Sequence, residues 1–389
     1  MHFTSTFLAL TAAVLPFVSA APAITTNAHA RRAAADILVF KFADVLEQLE
    51  SAFYAQALAK FQEADFIAAG FPNSRIPGEQ FLTIQKDEAT HSVVLQAALK
   101  SFGETPITNC KFKFDGALTD VATMAATARI VENVGVSAYL GGATLITDPV
   151  LLTAAGSILT VEARHQTILN VLSASGTAVP SPFDFALTPS EILALAGGFF
   201  DGPCDLGIPA NPALAVTNTG AVGPGTKLTF SSPALTPNLD TNTLFCQMLV
   251  GGKATALPLP FNECVVPGDI NGPVAIFITS DHQPLVNNVV NRDTLKLVAG
   301  PALAFIDIAP QSIGSLVRGS AVVAQTTTIS GAEATSIILA ASGTATAGAP
   351  APTVTPINGA APLAATANTL QGPSKDGLTN VIGWSNFAQ

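Results

Sequence analysis

Charge is scarce in this sequence: only 11% of its 389 residues are Asp, Glu, Lys or Arg, against roughly 25% in an average soluble protein. What charge there is leans acidic, 27 acids against 17 bases for a net of −10. That balance excludes a nucleic-acid partner held through a basic surface. Disorder along the whole chain is excluded from the other side, because 49% of residues are apolar and disorder needs low hydrophobicity with high charge. There is no CxxC pair, which removes the usual zinc and thiol-redox spacings. A Gly-rich phosphate loop, a nucleophile elbow and an Asn-x-Ser/Thr sequon are missing too. So apolar a chain invites a membrane reading, yet past its first twenty residues no uncharged apolar run reaches the ~18 residues of a spanning helix. Glu132, Asp148-Pro149, Glu162 and clusters of Gly and Thr break the candidates, and Pro, Gly and Thr fill the uncharged stretch between Glu333 and Lys375.

What is present begins with a leader. Residues 1–20 run through an apolar core from Phe7 to Val18 and end in Val18-Ser19-Ala20, the small-x-small pattern of a cleaved signal peptide. Residues 21–33 read as a short pro-segment or linker carrying the dibasic pair Arg31-Arg32. The expectation is a secreted, extracellular protein without a transmembrane segment, with the cell wall as one destination. All four cysteines, Cys110, Cys204, Cys246 and Cys264, follow the leader, and an even number suits an oxidising route. Four cysteines allow three connectivities. Pairing inside each of the segments below favours Cys110–Cys204 and Cys246–Cys264.

Hydrophobic periodicity predicts four long helices. The first covers 34–69, with Leu46, Leu49, Phe53, Leu58 and Phe61 at helical spacing and Gly70 and Pro72 as its stop. The second covers 78–101 and the third 118–147. Asp148-Pro149 then opens the fourth, to about Ser173, as N-cap and first-turn proline. Short links after the first and third helices make two antiparallel hairpins. The segment from Phe102 to Ala117 is long enough, at ~3.3 Å per residue, to run the length of a ~25-residue helix at ~1.5 Å per residue. Two hairpins joined by one such crossover form the ferritin-like arrangement of a four-helix bundle; a simple up-and-down bundle is the alternative. A further helix is expected over 188–200. From about Pro209, short runs at 227–230, 243–246, 273–279, 294–298 and 302–307 alternate with Gly/Pro/Asn turns, as strands of a small all-β module do. The expected chain is therefore α+β. It has a ferritin-like bundle over 34–205, a sandwich-like β module over 206–340, and a disordered low-complexity tail over 341–389 whose Thr/Ala/Pro content suits O-linked sugar.

Histidine and tyrosine are rare, five and two in the whole chain, which makes their placement informative. Glu88-Ala-Thr-His91 on the second helix and Glu162-Ala-Arg-His165 on the fourth each put both side chains on one helix face. With 27 acids in 389 residues, an acid stands three places before any one histidine about one time in fourteen (27/389), so two such pairs on alternate helices are a signal. On the other two helices Glu47 precedes Tyr54 by seven residues and Glu132 precedes Tyr139 by seven, about two turns, again one face. Four carboxylates on apolar helices repel one another unless neutralised. Two divalent or trivalent cations would neutralise them, and carboxylate with imidazole suits iron or manganese. One Glu from each of two helices with Glu-x-x-His from the other two is the ligand pattern of di-iron and di-manganese bundle proteins. The bland alternative is surface Glu–His pairs.

The stretches Leu46–Tyr54, Asp87–His91, Glu132–Tyr139 and Val161–His165, with Asn109-Cys110 and Pro203-Cys204, resemble the ferritin-like family of fungal stress-response and late-sexual-development proteins. Plant desiccation-related proteins are similar. The resemblance covers about 35–205 and implies Glu47, Glu88, His91, Glu132, Glu162 and His165 as metal ligands. Glu50 has Gly135 as its counterpart in the internal two-fold and is either an extra ligand or a surface acid. Asp87 and Arg164 are candidates to orient the histidines. Tyr54 and Tyr139 are candidate catalytic residues, as redox-active groups or donors to a bridging carboxylate, beside a plain packing role. His282 reads as a loop residue. The leading expectation is a dinuclear iron or manganese centre acting on O₂ or peroxide, or oxidising Fe(II), in stress or development. The competing one is a non-enzymatic wall or matrix protein whose metals only hold the bundle and whose β module binds a cell-wall partner.

Overall fold

The computed structural model describes residues 27–173, 176–308 and 311–318, and two short paired strands, Gly372–Pro373 with Asn380–Val381. The leader and nearly all of the tail lie outside the described residues. The expected pro-segment enters them at Asn27, where the backbone is already helical.

Helix α1 spans Asn27–Lys60, and a short α2 follows over Glu63–Ala68. The single helix expected over 34–69 is thus broken in two. At the break Phe61 turns into the core and Gln62 takes an extended conformation, its backbone N–H donating to Asp65 Oδ2 at 2.7 Å. A local cap and one buried ring outweigh the periodicity there. Helix α3 is Arg75–Ser101, α4 Val121–Ala143 and α5 Pro149–Leu172. Asp120 caps α4 by accepting from Thr123 N at 2.7 Å, which starts that helix later than residue 118. Asp148 caps α5 by accepting from Val150 N, also at 2.7 Å.

Residue pairs across the bundle give the helix directions. Between α1 and α3, Ser51 meets Gln85 and Asp44 meets Ser92. Tyr54 of α1 meets Glu132 of α4, while Glu47 meets Tyr139. In each pairing one number rises as the other falls, so α3 and α4 both run antiparallel to α1 and therefore parallel to each other. Consecutive helices that run parallel need a crossover, and residues 102–120 supply it. Lys41 of α1 donates to Glu104, Gln48 to the carbonyl of Ile107, and Phe53 packs edge-on against Phe114. The link follows α1 from Lys41 to Phe53, as two hairpins with one long crossover require. The disulfide Cys110–Cys204 ties this link to the segment behind α6.

Helix α6 occupies Pro189–Ala196, capped by Thr188, and a 3₁₀ turn over Gly197–Phe199 completes the helix expected over 188–200. Strands β1 (Ala215–Val216) and β2 (Phe230–Ser231) pair with each other. A four-stranded antiparallel sheet takes the order β4-β3-β5-β6, with β3 Phe245–Leu249, β4 Leu257–Pro260, β5 Gly272–Thr279 and β6 Leu297–Ile306. The two runs expected at 294–298 and 302–307 are one strand. Strand β4 was not expected, because Pro258 and Pro260 disguise it; an edge position tolerates prolines.

Every residue of β5 is buried. Its alternating side chains serve two cores: Ala275 and Phe277 join the core of the bundle, while Val274, Ile276 and Ile278 join the β module's own. The disulfide Cys246–Cys264 lies in that second core. Arg129 of α4 donates two hydrogen bonds to Asp307, at 2.7 and 2.8 Å. Arg292 donates to Glu191 of α6 at 2.6 Å, both side chains fully buried. Among the described residues no helix is long and apolar enough to cross a membrane.

Candidate metal centre

The four helices bring Glu47, Glu88, Glu132 and Glu162 to one place, all with no exposure to solvent. Burial follows from the sequence around them. On α3, for example, Phe81, Ile84, Glu88, Ser92, Leu95 and Leu99 form the buried stripe, and the carboxylate occupies a position that apolar spacing turns inward. His91 lies three residues along from Glu88, and its Nδ1 sits 2.9 Å from Glu88 Oε2, 3.1 Å from Glu47 Oε2 and 3.5 Å from Glu162 Oε1. His165 Nδ1 sits 2.8 Å from Glu88 Oε1 and 3.2 Å from Glu132 Oε2. Potential ligand atoms fall into two overlapping sets, each within 4.8 Å: Glu47, Glu88, His91 and Glu162; and Glu88, Glu132, Glu162 and His165. Glu88 and Glu162 belong to both. Exposed surface Glu–His pairs are ruled out by this geometry.

The donors fit a cation. Glu88 Oε1, Glu132 Oε2, both Glu162 oxygens and His165 Nδ1 are buried without a hydrogen-bond partner, although His165 Nδ1 has carboxylate oxygens at contact distance. Proximity and hydrogen bonding part company here because His165 turns its other nitrogen, Nε2, to Asp87 Oδ2 at 3.1 Å. His165 Nδ1 thus faces two buried carboxylates, an arrangement that needs positive charge, either a proton on the ring or a cation between the groups. Buried polar atoms left unpaired cost ~1–3 kcal/mol each, and a metal ion removes that penalty at several atoms together. The clusters are compatible with metal binding.

The protonation pattern of the metal-free cluster has the same cause. Burial alone would lower His91, but Glu162, Glu47 and Glu88 outweigh it and push the ring up to about 12. His165, also buried, is pushed up to about 11 by Glu132 and Glu88. Burial raises Glu47 to about 8 against the opposing pull of His91. Glu88 feels the same burial, yet the rings of His165 and His91 against its two oxygens take it down to about 2. Burial and neighbouring carboxylates raise Glu132 and Glu162. Protons stand where cations fit.

The tyrosines cross-tie the hairpins. Tyr54 donates to Glu132 Oε1 at 2.6 Å, and Tyr139 donates to Glu47 Oε1. Burial holds both hydroxyls well above their ordinary range. Glu50 is buried rather than a surface acid, with its carboxyl raised by burial and by Glu162. Opposite it, Gly135 makes room: a Cβ there would lie 2.5 Å from Glu162 Oε2 and 3.2 Å from Glu50 Oε1. Asp87 reaches a histidine, whereas Arg164 is exposed and His282 stands beside Phe245 in the β module, away from the cluster. A buried set beside the centre escaped the sequence reading. Asp44 accepts from Ser92 at 2.7 Å, Gln48 at 3.0 Å and Gln96 at 3.2 Å. Its signal was the three-residue step Asp44, Glu47, Glu50, which places all three on one face of α1.

Residues 35–175 match the model of a family described as a ferritin-like domain. Comparison with curated proteins returns no match.

Proposed function

Starting from a ferritin-like domain over residues 35–175, we propose that the protein is a secreted metalloprotein holding two iron or manganese ions in its bundle. The observation that carries this reading is the sharing of Glu88 and Glu162 between the two donor sets. Glu47 with His91 would complete one ion's ligands and Glu132 with His165 the other's, with Glu88 and Glu162 between them. Carboxylate and imidazole donors suit iron or manganese, and a pair of such ions supplies redox and Lewis-acid chemistry toward O₂ or peroxide. Around them, Asp87 orients the ring of His165, while Tyr54 and Tyr139 hold Glu132 and Glu47 in place and keep a proton beside each carboxylate. Two disulfides are consistent with an extracellular protein, and a stress or developmental role is the biological setting proposed for it.

The second reading is a non-enzymatic wall or matrix protein with a purely structural site, the β module taking a matrix partner. Complete burial of the four glutamates and the tyrosine ties between hairpins favour it.

Elemental analysis of the purified protein decides the first point. Two metal ions per chain are expected, falling to one or none in Glu88→Ala. A chain that stays metal-free after reconstitution with Fe(II) and Mn(II) removes the proposal. Turnover of added peroxide or Fe(II) by the loaded protein, lost in Glu88→Ala, separates the enzymatic reading from the structural one.

A further inference from the structure

The internal two-fold of the bundle fails where Gly135 stands in the place of Glu50, and a cavity opens there. Its volume is about 170 Å³. Leu38, Phe42 and Leu46 of α1, Ala138 and Gly142 of α4, and Ile192 of α6 line it, and Glu47, Glu50 and Tyr139 close its inner end. Leu38, Phe42, Leu46 and Glu50 follow one another four residues apart along α1. A stripe that is apolar for three steps therefore ends on a carboxyl group, ~18 Å from where it began at ~1.5 Å per residue. On α4 the small residues Gly135, Ala138 and Gly142 leave the facing wall low. The outer end is rimmed by Leu38 and Leu145, which are 41% and 42% exposed.

Three properties specify what fits. The size is that of a small organic molecule: an engineered apolar cavity of about 150 Å³ stays dry and binds benzene. Among the described residues no Lys, Arg or His lines the walls, so an anion would shed its water with nothing there to replace it, at a cost of several kcal/mol. The polar side chains among the described lining residues are two carboxyls and a phenol at the closed end, which favour one hydrogen-bonding group there and an apolar body behind it. Ions have another side available, the α3–α5 face, where Asp87 is partly exposed beside His165.

We propose that this cleft binds a small uncharged molecule with an apolar body and a single hydroxyl end, a phenol or short alcohol, its hydroxyl at Glu50 beside the carboxylate cluster. That the bound molecule is a substrate rests on the metal reading above; that it binds does not.

Isothermal titration of the full chain with phenol, 1-hexanol and hexanoate tests it, before and after chelation of metal. Saturable binding of the phenol and the alcohol to one site is expected in both forms, with hexanoate at least tenfold weaker. Ala138→Leu, which fills the cleft, is expected to weaken binding at least tenfold at unchanged metal content. Ala43→Leu, at a residue of α1 that lines the same cleft, serves if that variant does not fold. No saturable binding of either neutral probe, hexanoate binding as tightly as hexanol, or undiminished binding in the filled variants overturns the proposal. A chain that takes up no metal yet binds the neutral probes overturns the metal reading alone.

Discussion

Gly135 occupies on α4 the place that Glu50 holds on α1, and the missing side chain is what lets Glu162 reach the centre. Alanine there would put a Cβ 2.5 Å from Glu162 Oε2, so the carboxylate must move. Alanine also favours a helix over glycine by ~1 kcal/mol, which offsets the local crowding. Gly135→Ala is therefore expected to change the stability of the metal-free protein by less than ~1 kcal/mol, measured by denaturant unfolding, while elemental analysis shows at least one metal ion lost per chain. Protonation gives a second residue-level prediction. His91, at about 12 against an ordinary 6.5, contributes stability that is complete below 6.5 and is lost as pH rises towards 12. Glu47, at about 8 against 4.5, contributes stability complete below 4.5 and lost as pH rises through 8. Glu88, at about 2 against 4.5, works the other way: its contribution is present above 4.5 and lost as pH falls through 2. Between about pH 5 and 8, then, Glu88's contribution is constant while those of Glu47 and His91 decline. Metal binding releases these protons and strengthens over the same range. The gap in melting temperature between metal-loaded and metal-free protein is expected to widen from about pH 5 to pH 8; a constant or narrowing gap counts against the metal site.

At the scale of the element, the crossover between α3 and α4 is what makes a metal centre out of two hairpins, since it sets α4 antiparallel to α1 and so places Tyr139 against Glu47 and Tyr54 against Glu132. Cys110 holds this link to Cys204 across a separation of 94 residues. Opening so long a loop costs ~2–5 kcal/mol, yet neither cysteine touches the ligands. Cys110→Ser/Cys204→Ser is expected to unfold at lower denaturant by that amount and to retain its metal content. Loss of metal in the folded variant would show that the link also positions the donors. Elements were readable in the sequence where capping chemistry and periodicity agreed, as at Asp148-Pro149 and along the Phe81–Leu99 stripe. They were misread where a local contact competed with periodicity, at Phe61-Gln62, or where proline hid a strand at an edge, at Leu257–Pro260.

Across the whole of residues 27–318, bundle and sheet are held by one shared core and by two buried arginines. Phe277 of β5 packs with the helices, Arg129 is 5% exposed against Asp307, and Arg292 is buried against Glu191. Removing one partner of a buried pair costs ~3–5 kcal/mol, whereas replacing both with apolar residues of similar volume is often neutral. Arg129→Met is accordingly expected to lose about 3 kcal/mol or more, and Arg129→Met with Asp307→Leu to recover most of it, both measured by denaturant unfolding. Full stability in the single variant would show that the sheet contributes little to the bundle.

The local pattern of residues was enough to set out four long helices, the crossover length, and the shared helix faces of Glu47 with Tyr54, Glu88 with His91, Glu132 with Tyr139 and Glu162 with His165, while leaving open whether those faces turn inward. Those are properties of spacing, and spacing is written along the chain. Tertiary structure decided the rest. It buried Glu50 opposite Gly135, chose Glu88 and Glu162 as the carboxylates common to both donor sets, aimed each tyrosine at the glutamate of the other hairpin, and opened an apolar cleft where the two-fold fails. Each of these depends on which side chains from different helices meet, and that is set by how closely the helices pack rather than by the period of any one of them.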